Sequence, residues 1–338
     1  MNLLKLSAFS LALLLAVAAT ATSVMAQEAQ AMTEIQLTNG SASGGSAMSS
    51  ASSAMLESGE ASSSSSTESS AGPEAAAFDG TYVWVATQFS NTITRIRASD
   101  GIVYGTFNVG NRPVALLYAS SHIWVANLLS NNVMKVNPAT GGIVATYDVG
   151  DGPGGLAYDG TNIWVANRHS NTVTKLKAKD GANLGTFAVG KRPLGLAFSA
   201  NSIWVANNFS NSVTRLSTSG SVLGTYEVGR GPFGVAAEGE NVWVTNYFGK
   251  TVTKLRAADG ANLGTYSVGD GAAGVVFDGT NVWIVNNGDS TVVKVNPSSG
   301  SVLAKYATGK GPFSVAFDGS RIWVPNFGSN SISMTAAN

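Results

Sequence analysis

Only two histidines, His122 and His169, occur among the 338 residues, and cysteine is absent. Thiolate nucleophiles, disulfides and cysteine metal sites are therefore excluded. The chain offers no Ser-His-Asp order, no phosphate-cradling glycine loop ahead of a helix and no metal-spaced His or Cys cluster. His169, in NIWVANRHSNTVTKL (162–176), is the single catalytic candidate. Oxygen ligands form a second set. Asp79, Glu238, Asp278 and Asp318 recur at one position of a repeat, where a cluster of carboxylates could hold Ca²⁺ or Mg²⁺. The competing reading needs no cofactor: Asp-Gly is a hairpin-turn dipeptide whose carboxylate bonds its own turn backbone.

Whatever does chemistry here is carried by that repeat. Tryptophans stand at Trp84, Trp124, Trp164, Trp204, Trp243, Trp283 and Trp323, spaced by 40 residues and once by 39. A period in this range marks stacked supersecondary units. The units share the outline P-x-x-x-A-[FY]-D-G, then WVAN or a close variant, then a TVTKL-like run, then GT[FY]xVG. These are four short segments broken by turn residues, with no helical periodicity. The expected fold is all-β: a seven-bladed β-propeller of four-stranded antiparallel blades over residues 73–338. The continuous IWVA run suits an inner strand covered on both faces, with the indoles wedged between blades. The first three segments occur seven times but the fourth only six, because the chain stops at Asn338. Either the last blade has three strands, or TEIQLT (33–38) reaches back to supply the missing edge, which is the favoured reading.

The remaining sequence sets the context. Residues 1–26 carry Lys5, a Leu/Ala-rich run and small residues before Gln27, the pattern of an export leader. Residues 41–72 are a serine-rich tract that reads as a flexible linker, leaving 27–40 as the possible closing segment. The expected location is the periplasm or the extracellular space, with no transmembrane segment. Residues 73–338 carry 19 bases and 15 acids, a surplus too small to point to nucleic acid. A monomer is expected.

Binding candidates are the departures from the repeat. Five residues after each tryptophan stand Phe89, Leu129, His169, Phe209, Phe248, Gly288 and Gly328, flanked by Leu128, Arg168, Tyr247 and Phe327. The loops entering each blade add Arg112, Lys191, Arg192, Arg230 and Lys310, countered by Asp151 and Asp270. If these loops share one face, they make an aromatic collar with a basic surround, suited to an anionic or amphipathic ligand, a peptide or another protein. Alternatively, the phenylalanines fold inward and cap the blade cores. Two regular series read as architecture. Asn127, Asn167, Asn207, Asn246, Asn286 and Asn326 would satisfy turn backbone. Arg95, Lys135, Lys175, Arg215, Lys254 and Lys294 would form a solvated stripe on outer strands.

GPGGLAYDGTNIWVAN (152–167) and GPFGVAAEGENVWVTN (231–246) resemble the YVTN-type repeats of bacterial β-propellers. The pattern is also similar to that of the virginiamycin B lyases, seven-bladed propellers that open a cyclic depsipeptide with metal assistance. That resemblance implies a catalytic histidine from the loop after the W-[FV]-[TA] strand. His169 is the histidine this loop offers, one residue further along than the resemblance implies. Three functions follow: an exported propeller binding a ligand or partner through one face without catalysis, a metal-assisted lyase, or a structural module of the cell envelope.

Overall fold

The computed structural model describes residues 29–37 and 72–338. The leader-like stretch and the serine-rich tract, apart from Gly72, lie outside the described residues. The first blade shows the pattern: β1 (Pro73–Phe78), β2 (Tyr82–Thr87), β3 (Thr92–Arg97) and β4 (Val103–Asn108) form an antiparallel meander. Six further sheets repeat it, and no helix is present among the described residues. The first strands of successive blades touch one another all the way round, the seventh against the first, so the ring is closed.

The outermost strand of the seventh blade is Thr33–Gln36. It pairs antiparallel with Ser331–Ala336, Ile35 opposite Ile332. Gln30–Ala31 adds a short parallel strand to the sixth blade. Ile35 takes the place that Phe107, Tyr147, Phe187, Tyr226 and Tyr266 hold in other blades, beneath a turn glycine of the next blade. Gly141 shows why glycine is needed there. Its φ is +71°, and a Cβ would collide with the Phe107 ring.

All seven indoles are fully buried, each between its own sheet and the next. Their N–H groups explain the acidic series. The second carboxylate oxygen of Asp79, Asp159, Asp278 and Asp318 accepts from its indole at 2.6–2.8 Å, and Oε2 of Glu238 does so at 3.3 Å. In each Asp the other oxygen accepts two turn amides, as Asp159 Oδ1 does from Thr161 and Asn162. Where Ala119 replaces the acid, Trp124 donates to its carbonyl; at Ser199, Trp204 Nε1 has no partner. The carboxylates offered above as metal ligands thus anchor tryptophans.

The basic series is not a solvated stripe. Lys135 is buried and the other five half-buried, because each lies over the indole of its own blade and reaches the next. Lys135 Nζ sits 5.3 Å from the Trp124 ring centre and donates to the carbonyls of Ala178 and Lys179 at 2.8 and 3.1 Å. Arg95, Lys175, Arg215, Lys254 and Lys294 make the same reach of 43 residues to the next blade's outer turn. In the seventh blade Met334 holds this position, and Arg321 from the adjacent strand donates to Ala98 and Ser99 instead. Seven cationic latches therefore close the ring. The WVAN asparagines also differ from expectation. Apart from Asn286, which donates to the Val268 carbonyl, their Nδ2 groups donate to side-chain oxygens of the third strand, as Asn167 does to Thr172 and Thr174.

Candidate functional site

At one end of the ring the first strands open into a central funnel of about 880 Å³. A small irregularity builds its wall. In blades one to six the pairing of first with second strand slips just after the opening residue, Pro in all but the sixth blade; between Pro73 and Ala75 in blade one, the extra residue is Glu74. A bulge re-aims its side chain. The residues at this point are Glu74, Val114, Gly154, Leu194, Phe233, Ala273 and Phe313, all but Ala273 on the funnel lining.

The second contribution comes from the residue four after each tryptophan. The amides of Gln88, Leu128, Arg168, Asn208, Tyr247, Asn287 and Phe327 all donate to the carbonyl preceding the first strand, at 2.8–3.1 Å. That bond carries the ladder one residue past WVAN, and in blades three to seven the residue so placed lines the funnel, whereas Gln88 and Leu128 are buried beside it. The next residue is the tip of the turn. Phe89, Leu129, Phe209 and Phe248 are accordingly 55–61% exposed, so they do not cap the blade cores.

Of the residues expected to bind, Phe89, Arg112, Arg168, Arg192, Tyr247, Phe248 and Phe327 line the funnel. Leu129, His169, Lys191, Phe209, Arg230 and Lys310 do not. Lys191, Arg230 and Lys310 are exposed on the rim, and Phe209 lies under the Arg192 guanidinium at 4.5 Å. His169 is 46% exposed, with Nδ1 3.6 Å from Asp151 Oδ1. Among the described residues no group of three or more His, Cys, Asp or Glu is placed to hold a metal ion.

The lining is polarised. Six rings form one chain along blades five, seven and one. Phe248 meets Tyr247 at 5.2 Å, Tyr247 meets Phe233 at 5.8 Å, Phe233 meets Phe313 at 6.2 Å, Phe313 meets Phe327 at 6.0 Å, and Phe327 meets Phe89 at 5.4 Å. The stack of Phe233 on Phe313 crosses blade six, where Ala273 is small enough to let the rings meet. Arg112, Arg168 and Arg192 occupy blades two to four.

Glu74 stands outside the post-WVAN and blade-entry series that supplied the binding candidates. Aligning the residue after the opening proline would have shown one carboxylate in an otherwise apolar or glycine series. It is 7% exposed, and Oε2 has no hydrogen-bond partner. Burial pushes its carboxyl up to about 7, against the opposing pull of Arg168 and Arg112. Arg168 is 5% exposed with an unpartnered Nε, and burial lowers its guanidinium to about 10 despite Glu74. Arg112 is held by its Nε donating to Gln88 Oε1 at 2.7 Å.

No family model matches the chain, and no curated protein matches it by sequence. Solved structures do match. A streptogramin B lyase superposes with a TM-score of 0.70 at 19% identity, over 80% of this chain and 95% of that one. Hydrazine synthase from Kuenenia stuttgartiensis gives 0.73 at 18% identity, over 82% and 99%. A catalytically inactive histidine-to-alanine variant of virginiamycin B lyase from Staphylococcus aureus, solved with quinupristin, gives 0.68 at 18% identity, over 78% and 94%. The chain therefore has the fold of the streptogramin lyases, a seven-bladed propeller.

Proposed function

We propose that this propeller, built on the fold the streptogramin lyases share, is an exported binding protein that holds an amphipathic ligand bearing an anionic group in its central funnel. The observation that carries this reading is the polarised lining, with six linked rings facing three arginines around one cavity of about 880 Å³. Cavities of this size suit small molecules, with apolar walls for affinity and a few charges for orientation. Export is supported by the leader-like residues 1–26.

Fluorescence titration with anilinonaphthalenesulfonate tests the reading. Saturable binding at one site is expected, weakened about tenfold or more by Phe233→Ala with Phe313→Ala and by Arg168→Gln. Unchanged titrations in both variants would overturn it. A metal-assisted lyase is the second reading, supported by the fold shared with lyases. It requires turnover of a cyclic depsipeptide with Mg²⁺ that is lost in His169→Ala. The exposed rim position of His169 favours binding over catalysis.

A further inference from the structure

We propose that the funnel's ligand is a zwitterion, an aromatic α-amino acid whose ammonium meets Glu74 and whose carboxylate meets Arg168 and Arg112. This rests on the funnel being the binding site.

Two opposite charges line one cavity and do not close on each other. Glu74 and Arg168 are 7% and 5% exposed, yet Glu74 Oε2 and Arg168 Nε each lack a hydrogen-bond partner. A buried acceptor and a buried donor of opposite charge left open in the wall of one cavity are costly until something pairs with them. The bulge that sets Glu74 in the funnel wall recurs in blades two and three, so it is not a local accident. In those blades it presents valine and glycine rather than a charge.

The charges decide between ligand classes. A simple anion would satisfy the arginines but set a second negative charge beside Glu74. A simple cation would satisfy Glu74 but face Arg112, Arg168 and Arg192 together. A molecule carrying both charges a few ångströms apart compensates both sides. The rest of the wall selects its body. Phe233, Phe313 and Phe327 present contiguous ring surface, and aromatic pairs gain from offset or edge-to-face contact.

Calorimetric titration of the full chain with L-tryptophan, indolepropionate and tryptamine separates the contributions, since the second lacks the ammonium and the third the carboxylate. L-tryptophan is expected to bind at least about tenfold more tightly than either. In Glu74→Gln the advantage over indolepropionate should vanish while indolepropionate binds at least as well as before. Circular dichroism melts check that the variants are folded. Indolepropionate equalling L-tryptophan on the unmodified chain would overturn the zwitterion and leave the broader reading standing. So would failure of all three to bind while anilinonaphthalenesulfonate is still held. Dye binding indifferent to the Phe313 and Arg168 substitutions would instead remove the broader reading on which this one depends.

Discussion

Replacing Glu74 by Gln should make the protein more stable at alkaline pH and leave it unchanged at acid pH. The folded carboxyl titrates at about 7 against an ordinary value of 4.5, chiefly because burial strips water from the ion. A raised acid value means that the folded chain holds the proton more firmly than the unfolded chain does. Stability from this group is therefore fully present below about pH 4.5, falls as pH rises towards 7, and is flat above. At 1.36 kcal/mol per pH unit, the ionised carboxylate costs about 3 kcal/mol on the plateau. Glutamine is neutral throughout and keeps the shape of the protonated acid, so it avoids that cost. Arg168 and Arg112, which attract the carboxylate, are already counted in the folded value. Urea unfolding of both proteins, followed by the emission of the seven buried indoles, measures the difference at about pH 5 and pH 8. The expected gain is about 1 kcal/mol at the lower pH and approaches about 3 kcal/mol at the higher. An equal gain at both would make it a packing effect. A loss at pH 8 would mean that the ion is welcomed by its surroundings, and the argument for an unpaired charge would be wrong.

Three further outcomes test the ring. Lys135→Met removes two carbonyl bonds and the cation over Trp124, and should cost about 2 kcal/mol in the same assay, whereas Lys135→Arg should cost much less because Arg95 and Arg215 do this work elsewhere. Asp159→Ala should cost about 2 kcal/mol near neutrality by orphaning the Trp164 indole and two turn amides. Burial raises the Asp159 carboxyl, but hydrogen bonds from Asn162 and Trp164 outweigh it and leave it below the usual range, so its contribution is present at neutral pH and fades as acid protonates it. A chain beginning at Gly72 loses Ile35 and Leu37 from the cluster around Trp323 and should melt several degrees lower; an unchanged melt would show that the N-terminal strand contributes nothing to closure.

The blade architecture was legible because the interactions that build it recur. The tryptophan returns about every 40 residues with an acid partner in five of seven blades, and a repeated pattern announces repeated geometry. The latches were not legible for a related reason. Lys175 looks like a solvent-facing lysine on an alternating strand, and only the ring brings the Thr218 carbonyl of the next blade to its tip. Long side chains cover apolar surface while their charged ends find a polar partner, and which partner is a tertiary fact.

The funnel shows where residue-by-residue comparison fails by a single step. The exposed Phe209 and the buried Asn208 are neighbours, and composition favours the phenylalanine as a binding residue. What separates them is one backbone bond, Asn208 N to the Arg192 carbonyl at 3.0 Å, which extends the strand by one position and turns the next residue outward. The bulge does the same at Glu74, where alternation along PEAAAF gives no sign of the extra residue between Pro73 and Ala75. The backbone bond recurs in all seven blades and the bulge in six, so the scaffold brings these positions towards the cavity and leaves their identity open. The residue after the opening residue of each blade and the residue past WVAN thus line the funnel wall, Ala273, Gln88 and Leu128 excepted. In this chain that freedom is spent unevenly, with aromatics on blades five, seven and one, and arginines on blades two to four. Uniform blade packing would produce no such division, and the proposed ligand, with an aromatic body and a charged end, is what would use it.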